Sequence, residues 1–443
     1  MSVGTFLLTL VCMLTDITLF LDMTATIDNE NIWHPFSSLK QKDNIKIKKG
    51  LGASLYTESG DEIIDAVSSW WVNIHGHARQ ELADVLYEQA QQLEHTIFAG
   101  FTHQPAIDIT KGLLEVLPDF KRVFFSDNGS TAVEVGLKMA LQYWHNLGTP
   151  KTKIISVEGG YHGDTFGSMS IAGKSSFFEP FNDLMFDVLQ IPLPDNDQVI
   201  EQFKDLVKDK DVAIFVYEPL LQGAAGMRIY PKEILDELLG IAKAYDVICI
   251  ADEVLTGFGR TGKNFCSDYM KNKPDIIALS KGITGGFMPL GVTLCNTKIE
   301  SAYDNAEATK IFYHGHSYTA NALSCAVAVK SLEILRSSQC QADIVRISEF
   351  HNGFMDRIKT HPQVKSVNTL GTVLSVEIKT EGESSYFNNI KEFIYKIGLK
   401  EGVLLRPLGN VMYLIPPYVI TDEQLKKCYS VMKKVLDELK HIN

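Results

Sequence analysis

Between residues 120 and 300, short apolar runs alternate with stretches of helical periodicity, and no other feature constrains the fold as tightly. The runs are Arg122-Val-Phe-Phe-Ser, Lys153-Ile-Ile-Ser-Val, Val212-Ala-Ile-Phe-Val-Tyr, Val247-Ile-Cys-Ile-Ala and Asp275-Ile-Ile-Ala-Leu. The helical candidates between them include Thr131 to Trp144 and Lys232 to Ala244. Strands that are apolar without alternation are covered on both faces, and strands alternating with helices pair in parallel. The expectation is an α/β fold with a mostly parallel central sheet covered by helices. Ligands in such sheets bind at the carboxyl ends of the strands. After about residue 335 long amphipathic helices and a few mixed strands take over, which predicts a second, smaller α+β domain.

The chain has 443 residues, 45% hydrophobic and 22% charged, which is ordinary globular composition. The formal net charge is -12 with both signs interspersed and no basic patch, so nucleic acid is not an expected partner. Seven scattered cysteines with no C-x-x-C pair fit buried thiols in a reducing compartment, and hence a cytoplasmic protein without a structural metal. The first 23 residues, MSVGTFLLTLVCMLTDITLFLDM, are apolar but contain Asp16 and Asp22, and no Lys or Arg precedes Lys40. A signal peptide needs a positive n-region, and a membrane span tolerates few charges. Translation beginning at Met23 is the expectation, a secretory signal the alternative, and no membrane association is expected.

Each strand end carries a chemically informative stretch. The first reads SDNGSTAVE, where Asn128, Gly129 and Ser130 form a turn and Thr131 to Glu134 resembles a capping box opening a helix. A glycine turn leading into a helix amino terminus offers free N–H groups to a phosphate, although alone it reads as a capped helix. The second is GGYHGDTFG, where Tyr161 and His162 sit between glycines and an aromatic face could lie flat on a planar ligand, or the stretch is a surface loop with an exposed tyrosine. The third, VYEP, puts Glu218 at a strand tip, and the fourth, IADEVLTGFGRTGK, ends an apolar strand on Asp252 and Glu253. A carboxylate at that depth must be paired or solvated. The fifth is SKGITGG, where Lys281 is either an ordinary surface lysine or an amine kept for covalent chemistry.

Two patterns in the fourth stretch mislead. Gly257, Gly259 and Gly262 satisfy G-x-G-x-x-G, but residues 253–256 separate them from their strand and no helical pattern follows. Gly257 to Lys263 resembles a Walker A loop, yet Asn264 stands where a hydroxyl would bind magnesium. An ATP-binding module is therefore a weak rival. A phosphate cradle, a planar aromatic, a buried carboxylate and a strand-end lysine are together the parts of a pyridoxal 5'-phosphate site. The lysine bonds to the aldehyde, and the carboxylate keeps the pyridine nitrogen protonated so that the ring accepts electrons.

IADEVLTGFGRTGK followed by LSKG, with 29 positions from Asp252 to Lys281, resembles the class III pyridoxal-phosphate aminotransferases of fold type I, from about Trp33 to the carboxyl end. The narrower motifs IWHPFSSLK, VSSWWVNIHGH, FYHGHSYTANALSCA and RPLGNVMYLIPPY resemble the branch that makes 7,8-diaminononanoate from 8-amino-7-oxononanoate in biotin biosynthesis, with S-adenosyl-L-methionine as amino donor. The resemblance implies that Lys281 carries the cofactor and moves the proton, and that Asp252 holds the ring nitrogen. It implies that Tyr161 stacks near the ring and that Gly129 and Ser130 bind the phosphate, joined by His316 and Ser317 from the other subunit of a homodimer. Glu218 counts among the cofactor residues. Phe36, Trp70, Trp71 and Gly315 would contact the substrate chain, Arg406 its carboxylate, and Tyr413 would close the pocket.

Phe36 stands where many relatives have tyrosine, which leaves lysine as an alternative donor. An ornithine- or 4-aminobutyrate-type ω-amino acid aminotransferase is the alternative within the class. The implied division is residues 1–22 as an extra segment or mis-assigned start, 23–75 and 333–443 as the two parts of a small domain, and 76–332 as the large cofactor-binding domain.

Overall fold

The computed structural model describes residues 27–40, 44–174, 178–304, 307–380 and 390–439; the apolar segment 1–22 and the start at Met23 lie outside them. The described chain groups into two compact units, one of residues 27–40, 44–48 and 57–60 and one containing the remainder.

The larger unit is built on a seven-stranded sheet. In chain order its strands are β1 (Arg122–Ser126), β2 (Lys153–Val157), β3 (Leu189–Ile191), β4 (Val212–Tyr217), β5 (Ile248–Asp252), β6 (Ile276–Leu279) and β7 (Gly291–Cys295). They lie in the order β1-β7-β6-β5-β4-β2-β3. Strands β2 to β6 pair in parallel, and β7 runs antiparallel to both β6 and β1. Strands β4 to β7 are buried at every position, as the apolar runs of β4, β5 and β6 predict. Successive residues serve opposite faces. Ile214, Val216, Ile248 and Ile250 pack with Val133 and Leu137 of helix α1 (Gly129–Asn146). Phe215, Tyr217, Cys249 and Ala251 pack on the other side with Leu235 and Leu238 of the helix Lys232–Ala244.

Sequence reading missed β3 and β7. Three residues are too few to show a run, and β7 opens on glycine with a threonine at its centre. The expected cap also moves. Asn128, not Thr131, caps α1, its side chain accepting from Thr131 N–H at 2.9 Å while Thr131 Oγ1 accepts from Asn128 N–H at 3.2 Å. Glu134, released from capping, receives the Thr165 hydroxyl at 2.6 Å and Gly167 N–H at 2.7 Å.

Beyond residue 335 an antiparallel sheet of Val364–Leu370, Val373–Ile378 and Val411–Leu414 packs with the helices Ser338–Ile358 and Asp422–Leu439. Residues 64–68 join it by backbone: Ile64 and Ala66 bond to Gly402, Leu404 and Ile415, and the Ser68 hydroxyl donates to the Ile415 carbonyl at 2.7 Å.

His351 is buried here, 2.8 Å from the Tyr429 hydroxyl and 3.1 Å from the Thr372 carbonyl oxygen. Burial pushes its pKa down from 6.5 to about 4. A depressed folded pKa gives stability that is present above the unfolded value and lost as pH falls toward the folded one. Urea melts should therefore show the native protein losing about 2 kcal/mol relative to His351→Gln between neutral pH and about pH 5. A constant gap would contradict a neutral, buried imidazole.

Candidate active site

The chemically distinctive side chains gather where the sheet's strands end. Asp252 closes β5 and is buried, with Oδ2 2.7 Å from His162 Nδ1 and Oδ1 accepting from Val254 N–H at 3.0 Å. His162 follows β2 and is equally buried. Burial alone would lower its pKa, but the hydrogen bond to Asp252 and that carboxylate's charge outweigh burial and hold it above the usual histidine value. The two are joined by a short hydrogen bond sealed from water, which favours the charged imidazole. Sequence reasoning placed His162 beside Tyr161 between glycines but did not pair it with Asp252, because a histidine between glycines looks like loop surface. Its signal was its place at a strand end on the same sheet edge as Asp252.

The neighbouring acids do different work. Glu218, just beyond β4, accepts from Tyr161 N–H and Gly223 N–H, each at 3.0 Å. Burial, reinforced by Asp252 and opposed by His162, lifts its pKa to about 7. Glu218 thus clamps the backbone that presents Tyr161. Glu253 turns the other way and accepts from Ser267 N–H at 2.7 Å and Cys266 N–H at 2.6 Å. It closes the glycine loop on itself, and no α-helix follows, so that loop is not a dinucleotide cradle. The Tyr161 hydroxyl donates to Asp164 at 3.0 Å, and burial with the nearby Asp164 charge raises its pKa far above the ordinary tyrosine value.

Lys281 follows β6 with φ 43°, at the start of the short helix Lys281–Thr284. Its Nζ lies 4.8 Å from the centre of the Trp71 ring. Burial lowers the amine's pKa, while Asp252 and Glu218 work against that effect. An amine drawn toward its neutral form is a nucleophile. At the first turn of α1, a Cβ on Gly129 would lie 2.7 Å from Val254, and one on Gly163, at φ 120°, would lie 2.4 Å from Ser130. Only glycines let the loop of Tyr161 and His162 close on this helix terminus. The Ser130 hydroxyl accepts from Thr165 N–H at 3.0 Å and ties the two together.

A second set of side chains adjoins Lys281 through Trp71. The Trp71 indole N–H donates to the Tyr413 hydroxyl at 3.0 Å, with the rings edge to face at 6.2 Å. Next to it, Trp70 carries the Arg406 guanidinium over its ring at 4.1 Å. The structure therefore links Lys281, Trp71, Tyr413, Trp70 and Arg406 in one chain of contacts or adjacent residues. Gly315 and Ser317 are exposed and His316 is half-buried in this chain. Ser317 accepts from His95, and the His316 backbone N–H donates to Thr319. The buried His316 Nε2 has no partner among the described residues. Phe36 belongs to the small unit, with φ 55°. Among the described residues no cluster of His, Cys, Asp and Glu could hold a metal, and no helix is long and apolar enough to cross a membrane.

The donor set fits pyridoxal phosphate: a buried acid held by an imidazole, a partly buried amine, and a helix amino terminus with two small residues, all at one edge of a sheet. The sequence profile of the aminotransferase class-III family matches residues 37–436. The chain belongs to the class-III aminotransferases. This aminotransferase is 42% identical over 422 residues to the adenosylmethionine-8-amino-7-oxononanoate aminotransferase of Synechococcus elongatus, covering 92% of this chain and 99% of the relative. The enzyme of that name from Helicobacter pylori is 35% identical, over 95% and 99%. The crystal structure of the one from Methanocaldococcus jannaschii superposes with a TM-score of 0.90 at 33% identity, covering 94% of this chain and 99% of that one. An amine transaminase from an uncultivated Pseudomonas species, solved in its pyridoxal-phosphate-bound form, gives 0.87 at 26%, over 92% and 98%. This class-III aminotransferase is thus a pyridoxal-phosphate enzyme of fold type I.

Proposed function

We propose that this aminotransferase converts 8-amino-7-oxononanoate to 7,8-diaminononanoate in biotin biosynthesis, with S-adenosyl-L-methionine as the amino donor. The carrying observation is the pairing of two indoles with two recognition groups: Trp71 with Tyr413, and Trp70 with Arg406. Aromatic walls suit a long apolar chain, and a guanidinium suits its terminal carboxylate. The names of the relatives at 35–42% identity support the same substrate.

When bound, the cofactor supplies an aldehyde that takes up an amino group and a ring that accepts the electron pair left when the α-proton departs. Lys281 would hold the aldehyde carbon and then carry the proton. Asp252, fixed by His162, would keep the ring nitrogen protonated. The N–H groups of Gly129 and Ser130 would bind the phosphate, and Tyr161 would lie near the ring. Phe36 and Gly315 would line the substrate chain. The enzyme would act as a homodimer in which His316 and Ser317 of the partner subunit complete the phosphate site. The buried, unpaired cysteines Cys249, Cys266, Cys295, Cys325, Cys340 and Cys428 favour a reducing cytoplasm.

Arg406→Ala should raise KM for the amino-keto acid by about thirtyfold or more, since losing one partner of a hydrogen-bonded charge pair in the site costs about 2–5 kcal/mol. The donor reaction should change much less. Phe36 favours a second reading, with lysine as donor, because it lacks the hydroxyl of the tyrosine that the family resemblance implies at that position. Incubating enzyme and 8-amino-7-oxononanoate with S-adenosyl-L-methionine or lysine in parallel separates the two. Turnover of 4-aminobutyrate or ornithine with none of the nonanoate would overturn the substrate assignment.

A further inference from the structure

Residues Ser68–Trp71 form a turn that a free chain would not adopt. Ser68, Ser69 and Trp71 have φ of 51°, 60° and 65°, and none is glycine. Ser69, at ψ -87°, sits near the positive-φ γ-turn, which is rare and strained. Such conformations persist only where the surroundings over-determine them. The strongest grip is a single carboxylate. Asp65 is fully buried and accepts from Ser69 N–H at 2.8 Å, Val67 N–H at 3.3 Å, the Ser69 hydroxyl at 3.0 Å and His77 Nε2 at 2.8 Å. Asn73 Nδ2 lies 2.9 Å from His77 Nδ1 and fixes that ring. At the far end the buried Arg260 donates to the Trp71 carbonyl at 3.2 Å and the Pro416 carbonyl at 2.8 Å. An acid thus holds the N–H groups entering the turn, and a guanidinium holds the carbonyl leaving it.

The two residues presented by this turn are Trp70, under Arg406, and Trp71, under the Lys281 amine. We infer that Asp65 is a positioning residue for transamination: through the strained Ser68–Trp71 turn it sets one indole against the amine of Lys281 and the other against the guanidinium of Arg406. The inference rests on the roles proposed above for those two residues. An acid serving the fold alone would affect melting but not the kinetics of the folded holoenzyme.

The test compares native and Asp65→Asn holoenzymes by melting, cofactor content, both half-reactions, and the acid substrate against its methyl ester. Loss of charge-assisted hydrogen bonds to the turn should lower kcat/KM per folded holoenzyme by about ten- to a hundredfold. KM for the acid should rise more than KM for the ester, collapsing the native preference for the carboxylate. Near-ultraviolet circular dichroism of the unliganded proteins needs no substrate. Asp65→Asn should lose the part of the indole signal that Trp70→Phe and Trp71→Phe identify. An unchanged spectrum with unchanged kinetics would overturn the inference. A native enzyme indifferent to esterification would instead overturn the role of Arg406, and the spectrum would still decide that of Asp65. Should Asp65→Asn fail to fold, Ser69→Ala removes one of the four bonds and should show the same changes more weakly. No change in that variant would count against the inference.

Discussion

Lys281→Ala should lower transaminase turnover by at least about a thousandfold, because the residue is asked both to bond the cofactor and to move a proton, and the second task alone is worth about 10²–10⁴. The variant should fold, since the side chain's only ring contact is with Trp71 among the described residues. The positive φ at this position is compatible with a smaller residue only at the strain the native residue already bears. It should still take up cofactor through the remaining groups, but borohydride reduction before denaturation should leave no label at position 281. Turnover within tenfold of the native enzyme would mean that another amine does the work.

Asp252→Asn should reduce kcat by at least about a hundredfold, comparable to removing one preorganised electrostatic group from a buried site. The substitution keeps shape and removes charge. Burial would then be opposed mainly by Glu218, so the His162 pKa should fall below that of the native residue. Neither the imidazole nor the cofactor's ring nitrogen would be held protonated, and the ring would lose its capacity to accept electrons. Cofactor should remain bound through its phosphate, so the loss should appear in kcat and in the visible spectrum rather than in cofactor content. Full activity in Asp252→Asn would show that ring protonation does not depend on this carboxylate.

The sheet was legible because its central strands are buried on both faces and their sequences say so. Lys281 and Asp252 stood out for the same reason: a charge at the end of a fully apolar strand needs a partner. Three kinds of feature were hidden. His162 is indistinguishable from a loop histidine until β2 and β5 lie in one sheet. Asp65 is one of several acids in DEIIDAVSS, and its four acceptor bonds arise from a turn whose dihedrals no local propensity favours. Thr131 and Glu134 matched a capping box by spacing, yet Asn128 competes for the same N–H groups and wins because it stands where the chain leaves β1. Gly315 reads as a substrate contact, and His316 and Ser317 as cofactor ligands, only by resemblance; within one chain His316 and Ser317 bond to His95, Tyr318 and Thr319.

The account depends most directly on which amine bonds to the cofactor. Reducing the holoenzyme with borohydride, digesting it and mapping the modified peptide measures this in one step. The expected result is a single pyridoxyl-labelled peptide spanning SKGITGG with the label on Lys281. A label on any other lysine, or cofactor that washes away unreduced, would contradict it.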